Sequence, residues 1–98
     1  MVRVSFFGSI RSITHENETE VPAPATMRDL LSLLSSAYGV NFAPGDEFDG
    51  WTVSDTETGG VSVMIVLLNG RHIQHAGGAD APLSEGDHVA IFPLVGGG

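Results

Sequence analysis

Apolar and polar positions alternate from the first residues. Val2, Val4 and Phe6 are separated by Arg3 and Ser5, the period-two pattern of a strand that turns one face to a core. Phe7 breaks the alternation and puts an aromatic ring on the second face. After Gly8 and Ser9, residues 12–21 are polar and rich in Thr and Glu, ending at Pro22. This predicts a solvent-facing second strand and a hairpin. The period then changes. Thr26-Met27-Arg28-Asp29 fits a capping box, in which the Thr hydroxyl and the Asp carboxylate satisfy free N–H groups at a helix start. Met27, Leu30, Leu31, Leu34, Ala37 and Tyr38 fall on one helical stripe, and Gly39 is placed to cap its C-terminus.

Residues 40–60 are acidic and punctuated by Pro44, Gly45, Gly50, Gly59 and Gly60. They read as a long crossover loop with room for a short turn of helix, anchored to the body by Trp51. Val61 to Leu68 is an apolar run broken only by Ser62, the pattern of an interior strand covered on both faces. Asn69-Gly70 is a strong turn signal. Arg71-His72-Ile73 begins a short return strand, and Gly77-Gly78-Ala79-Asp80 opens a loop that runs to Leu83-Ser84-Glu85-Gly86-Asp87. A last apolar strand follows through Phe92 and Pro93. The order is strand, strand, helix, strand, short strand, strand, without internal repeats, and residues 1–98 are the size of one domain. That is an α+β arrangement of the β-grasp, or ubiquitin-like, plan: a mixed sheet packed on one main helix, first and last strands side by side. In such a sheet Phe7 and Phe92 lie on adjacent strands, on the face opposite Val4, Phe6, Val89 and Ile91. An exposed apolar patch there marks an interface, unless the long loop folds back over it.

Composition narrows the chemistry. With 42% hydrophobic residues and no apolar run near the roughly 18 residues of a membrane span, no membrane association is expected. The N-terminus reads as a strand rather than a signal peptide, which makes the cytoplasm the expected location. The formal charge is −8, with Arg3, Arg11, Arg28 and Arg71 as the strong cations. Phosphate-based nucleic-acid binding is therefore not expected, whereas steering toward a basic protein partner is. The absence of cysteine excludes disulfides, thiolate metal sites and cysteine nucleophiles. The absence of lysine excludes an isopeptide bond to the chain's own side chains. His72 and His75, with His15 and His88 elsewhere, lack a defined third ligand, so no metal site is assigned. Asp46, Glu47, Asp49, Asp55 and Glu57 do not have the spacing of a calcium loop and read as a solvated segment.

The remaining feature is Gly96-Gly97-Gly98. A glycine run costs backbone entropy and packs no side chain, but it makes a thin arm that can carry its last carboxylate into a narrow channel. Residues 96–98 are read as a flexible tail. Val4-Ser5-Phe6-Phe7-Gly8-Ser9-Ile10-Arg11, Leu68-Asn69-Gly70-Arg71, Leu83-Ser84-Glu85-Gly86-Asp87-His88-Val89-Ala90-Ile91-Phe92-Pro93 and the terminal glycines together resemble the MoaD/ThiS sulfur carriers, most closely the small subunit of molybdopterin synthase. That resemblance implies that an E1-like enzyme adenylates Gly98 with ATP and a sulfurtransferase converts it to a thiocarboxylate. The large subunit of molybdopterin synthase, or an equivalent enzyme, is then the acceptor. It implies no bound cofactor and no catalytic base on the carrier. Gly96 and Gly97 form the arm, with Phe7, Phe92, Pro93, Leu94 and Val95 as partner contacts. Where the family often has a second proline and two glycines, this chain has Pro93-Leu94-Val95 and three. A ThiS-like carrier for another pathway, the tungsten-cofactor branch and a ubiquitin-like modifier that forms an amide are the alternatives.

Overall fold

The computed structural model describes residues 1–45, 51–55 and 60–93. Strand β1 (Val2–Phe6) buries Val2, Val4 and Phe6 and exposes Arg3, as its alternation predicts. It runs parallel to the last strand, β7 (His88–Pro93), with Val4 opposite Val89 and Phe6 opposite Ile91. On its other side β1 pairs antiparallel with β2 (Glu18–Val21). β7 pairs antiparallel with β5 (Val61–Leu68), and β5 with β4 (Trp51–Asp55), which pairs with β3 (Val40–Ala43). The sheet order is β2-β1-β7-β5-β4-β3, with β6 (Arg71–His72) paired to the end of β5. One parallel pair among antiparallel ones makes this the mixed sheet of the β-grasp fold.

The long helix, α2 (Met27–Tyr38), lies on one face of that sheet. Met27, Leu30, Leu31 and Leu34 are buried against Val2, Val4, Phe6, Val53, Val66, Val89 and Ile91. Burial of each such side chain is worth about 1.5–3 kcal/mol, so this seam dominates the stability. Thr26 accepts a hydrogen bond from the Asp29 N–H at 3.3 Å, and its hydroxyl donates to the Asp29 carboxylate at 3.1 Å. The carboxylate therefore caps through the Thr hydroxyl. Gly39 ends the helix with φ of 66°, the left-handed conformation that glycine adopts without a Cβ penalty. Tyr38 meets Phe6 edge-on, centroids 5.6 Å apart, and donates its hydroxyl to Glu16 at 2.7 Å. Burial, reinforced by the Glu16 hydrogen bond, pushes its pKa up to about 12. Ala37, the other residue at the end of the predicted stripe, is exposed.

Four readings are corrected. Residues 12–21 are not one strand: α1 (Ile10–Thr14) precedes β2, fixed by buried Ile10 and by Thr14, whose hydroxyl donates to the Glu16 carbonyl. Segment 40–60 is not simply a crossover loop, because β3 and β4 extend the sheet and bury Val40, Phe42, Trp51 and Val53. Trp51 does anchor this segment. β5 is covered on one face only: Met64, Val66 and Leu68 are buried, whereas Val61 and Val63 are 65% and 38% exposed. The return strand stops at His72, and Ile73 starts a short helix, α3 (Ile73–Ala76), followed by a 3-10 turn over Gly78–Asp80 where a loop was expected.

Candidate partner face and tail root

Because Phe6 faces the core opposite Ile91, the next residue on each strand points away from the helix. Phe7 and Phe92 therefore meet on the outer face of the sheet. Their rings stack at a centroid distance of 4.4 Å and an interplanar angle of 9°. Phe7 is 40% exposed and Phe92 half-buried. The stack is held by the ladder beneath it, in which the Phe7 N–H donates to the Ile91 carbonyl at 3.0 Å. The described stretches of segment 40–60 run as β3 and β4 at the far edge of the sheet, beyond β5. Pro93 ends β7 opposite Met64 of β5 and is half-buried. The expected contacts Leu94 and Val95 and the tail Gly96, Gly97 and Gly98 lie outside the described residues, as do Asp46, Glu47, Asp49 and Glu57.

The apolar face is larger than Phe7 and Phe92. Ile65 stands opposite Phe92 and Leu67 opposite Ala90, so β5 presents Ile65 and Leu67, both half-buried, to the same face. Val63 and Val61 continue that row past the level of Pro93. The sequence hides this row, since a strand apolar at every position from Val63 to Leu68 gives no period from which to choose the outward set. Toward the other end of the strands the face becomes polar. Ser5 and His88 are joined by a hydrogen bond of 2.8 Å between Oγ and Nε2, and Arg3 pairs with Glu18 at 2.7 Å. The patch is thus apolar where β7 ends and polar at the opposite end.

The described residues include no cluster of three His, Cys, Asp or Glu side chains able to hold a metal. His72 and His75 do come together, ring centroids 6.1 Å apart, but His72 Nδ1 accepts the Gln74 N–H at 3.1 Å and is already used in capping α3. No described helix is long and apolar enough to cross a membrane. What the site offers is an apolar surface beside Pro93, the last described residue of β7.

A β-grasp sheet packed on one main helix defines the ubiquitin-like fold. The ThiS family profile matches residues 4–98. The small archaeal modifier protein 3 of Haloferax volcanii is 31% identical over 100 residues, covering 99% of this chain and 98% of that protein. The chain belongs to the ThiS family and is a ThiS/MoaD-like sulfur carrier or modifier. Among solved structures, the small archaeal modifier protein 1 of Methanosarcina acetivorans superposes with a TM-score of 0.69 at 22% identity, covering 99% of this chain and 95% of that one. A protein described as molybdopterin converting factor subunit 1 of Pyrococcus furiosus does so with 0.67 at 25%, covering 96% and 97%.

Proposed function

We propose that the chain is a sulfur carrier whose Gly98 carboxylate is adenylated by an E1-like enzyme with ATP and converted by a sulfurtransferase to a thiocarboxylate. The sulfur is then donated in the large subunit of molybdopterin synthase. The observation that carries this reading is the family match running through residue 98, which takes in Gly96, Gly97 and Gly98. A carboxylate is a poor electrophile at neutral pH. Adenylation forms a mixed anhydride and releases pyrophosphate. Hydrosulfide, released from the sulfurtransferase persulfide by a thiol reductant, then forms the C–S bond as the C–O bond to AMP breaks, and the product is a soft nucleophile. General acid-base and electrostatic assistance come from the partners, so the carrier's contribution is docking and presentation. In this reading Phe7, Phe92, Pro93, Leu94 and Val95 contact the partner, and Val61, Val63 and Ile65 extend that contact. The likeness to the Pyrococcus furiosus protein supports the molybdopterin branch.

The names of the Haloferax volcanii and Methanosarcina acetivorans relatives support a second reading, a modifier whose tail forms an amide with a target amine. The two differ in mass. The chain is incubated with its source's E1-like enzyme, ATP and a sulfurtransferase with its sulfur donor, and intact mass is recorded. A gain of about 16 Da, sulfur replacing oxygen, supports the carrier. A higher-mass adduct that survives thiol, with no such gain, overturns it in favour of the modifier.

A further inference from the structure

Gly8 is the residue after Phe7, at the point where β1 turns into α1. Its φ is +57°, and a Cβ built on it would lie 2.8 Å from Pro93 Cγ and 3.1 Å from Pro93 Cδ. The first distance is shorter than real Cβ contacts, so the Pro93 ring occupies the space that any other residue at position 8 would claim. Neither side of this contact is free to yield. The turn is pinned by the Phe7 N–H donating to the Ile91 carbonyl at 3.0 Å, and by Ile10 and Arg11 N–H groups donating to the Phe7 and Gly8 carbonyls, each at 3.2 Å. Ile10 is fully buried. Pro93 has a φ fixed by its ring and stands opposite Met64 in the β5–β7 pairing. The last described residue of β7 is thus wedged between the β1–α1 turn and the neighbouring strand.

We infer that Gly8 is a positioning residue for the C-terminal segment: its bare Cα seats the Pro93 ring and thereby fixes the last described residue of β7, from which the chain continues to Gly98. The inference rests on the carrier reading for its functional consequence, though not for its geometry. Glycine is required twice over, by the positive φ and by the close approach. Only the second requirement passes through Pro93, and this makes the two separable.

The test is a double-mutant cycle of the full chain, Gly8→Ala, Pro93→Ala and both together. It is read by ATP–pyrophosphate exchange with the source's E1-like enzyme, by amide shifts of residues 94–98, and by thermal unfolding. Pro93→Ala removes Cγ and Cδ, the two atoms in the way. With Pro93 in place, Gly8→Ala is expected to lower kcat for adenylation at least about tenfold, with KM changing less than about threefold, and to move the tail amides. In the Pro93→Ala background the same substitution should cost less than about threefold and move them little. Unfolding midpoints should drop in both backgrounds, and by less in Pro93→Ala, because the backbone strain at position 8 remains there while the clash with the Pro93 ring is gone. Equal kcat losses in the two backgrounds overturn the inference, as does a change confined to KM, which would place Gly8 in the docking face. If the parent chain supports no exchange, the carrier reading fails. The amide-shift cycle then decides the inference alone: coupling between positions 8 and 93 sustains the seat, and additive shifts sink it.

Discussion

Phe7 and Phe6 are adjacent in the chain and identical in chemistry, yet the pleat gives them opposite tasks. Phe6 is 2% exposed and sits over the helix, whereas Phe7 is 40% exposed and stacks on Phe92. Phe7→Ala should therefore cost about 0.5–1.5 kcal/mol of stability, the worth of the lost aromatic pair. Phe6→Ala should cost about 3–5 kcal/mol through the cavity it leaves. Binding should show the reverse order, with Phe7→Ala and Phe92→Ala each weakening the complex with the activating or acceptor partner by about 1–3 kcal/mol. Paired calorimetry and denaturant unfolding decide it. Unchanged affinity with a core-sized loss of stability would move the docking face elsewhere. Tyr38 carries a different signal. Its pKa in the folded chain is raised from 10.0 to about 12, so the neutral phenol is the form the fold prefers. The stabilisation is fully present below about pH 10 and is lost as pH rises toward about 12, because the unfolded chain releases the proton first. Over that window stability should fall by on the order of 1–2 kcal/mol. Tyr38→Phe should remove that part of the decline, and a decline of the same size in the variant would refute the assignment.

Elements that bury a full stripe were legible in the sequence, and elements stabilised mainly by their neighbours were not. α2 carries its own start signal, its own stripe and its own stop, so its caps Thr26 and Gly39 and its buried Met27, Leu30, Leu31 and Leu34 could be placed, whereas Ala37 of the same stripe is exposed. β1 and β7 were legible because alternation puts Val4 and Phe6 on one face and Phe7 on the other, and this also located the Phe7–Phe92 pair. α1 has five residues and buries only Ile10 and Thr14, too little to establish a period. β3 and β4 do alternate, Val40 with Phe42 and Trp51 with Val53, but Pro44, Gly45 and Gly50 between them are the punctuation of a loop. What confirms β3 as structure is a link no sequence pattern announces. Ser35 Oγ on α2 donates to the Leu31 carbonyl at 2.8 Å and accepts the Phe42 N–H at 2.9 Å, tying an edge strand to the helix. Ser35→Ala leaves that strand N–H without its acceptor and should cost about 1–2 kcal/mol. Hydrogen exchange at Phe42 should accelerate by more than at the central strands, and equal acceleration throughout would mean that the link is not local.

At the scale of the whole molecule, the sheet and its helix form a packed platform, and the sequence ends in three residues that carry no side chain. β7 lies between β1 and β5 in the middle of the sheet, so its end at Pro93 is held on both sides, while Gly96, Gly97 and Gly98 have no side chains to bury. The formal charge of −8 would favour fast encounter with a basic partner, and the chain has no lysine that could compete for a carboxylate activated as proposed. Stability and activation should therefore be separable by truncation. Deleting Gly97 and Gly98 should change the unfolding free energy by no more than about 0.5 kcal/mol, the range for positions outside core and caps. The same deletion should abolish formation of the acyl-adenylate, while affinity for the activating enzyme measured without ATP, assigned in the proposed function to the Phe7–Phe92 face, should fall far less. Truncated and full chains compared by calorimetry, pyrophosphate exchange and intact mass provide the check. A truncated chain that still forms the adenylate and accumulates thiocarboxylate would show that the chemistry does not reside at Gly98, whereas a large loss of stability would show that the tail belongs to the packed body.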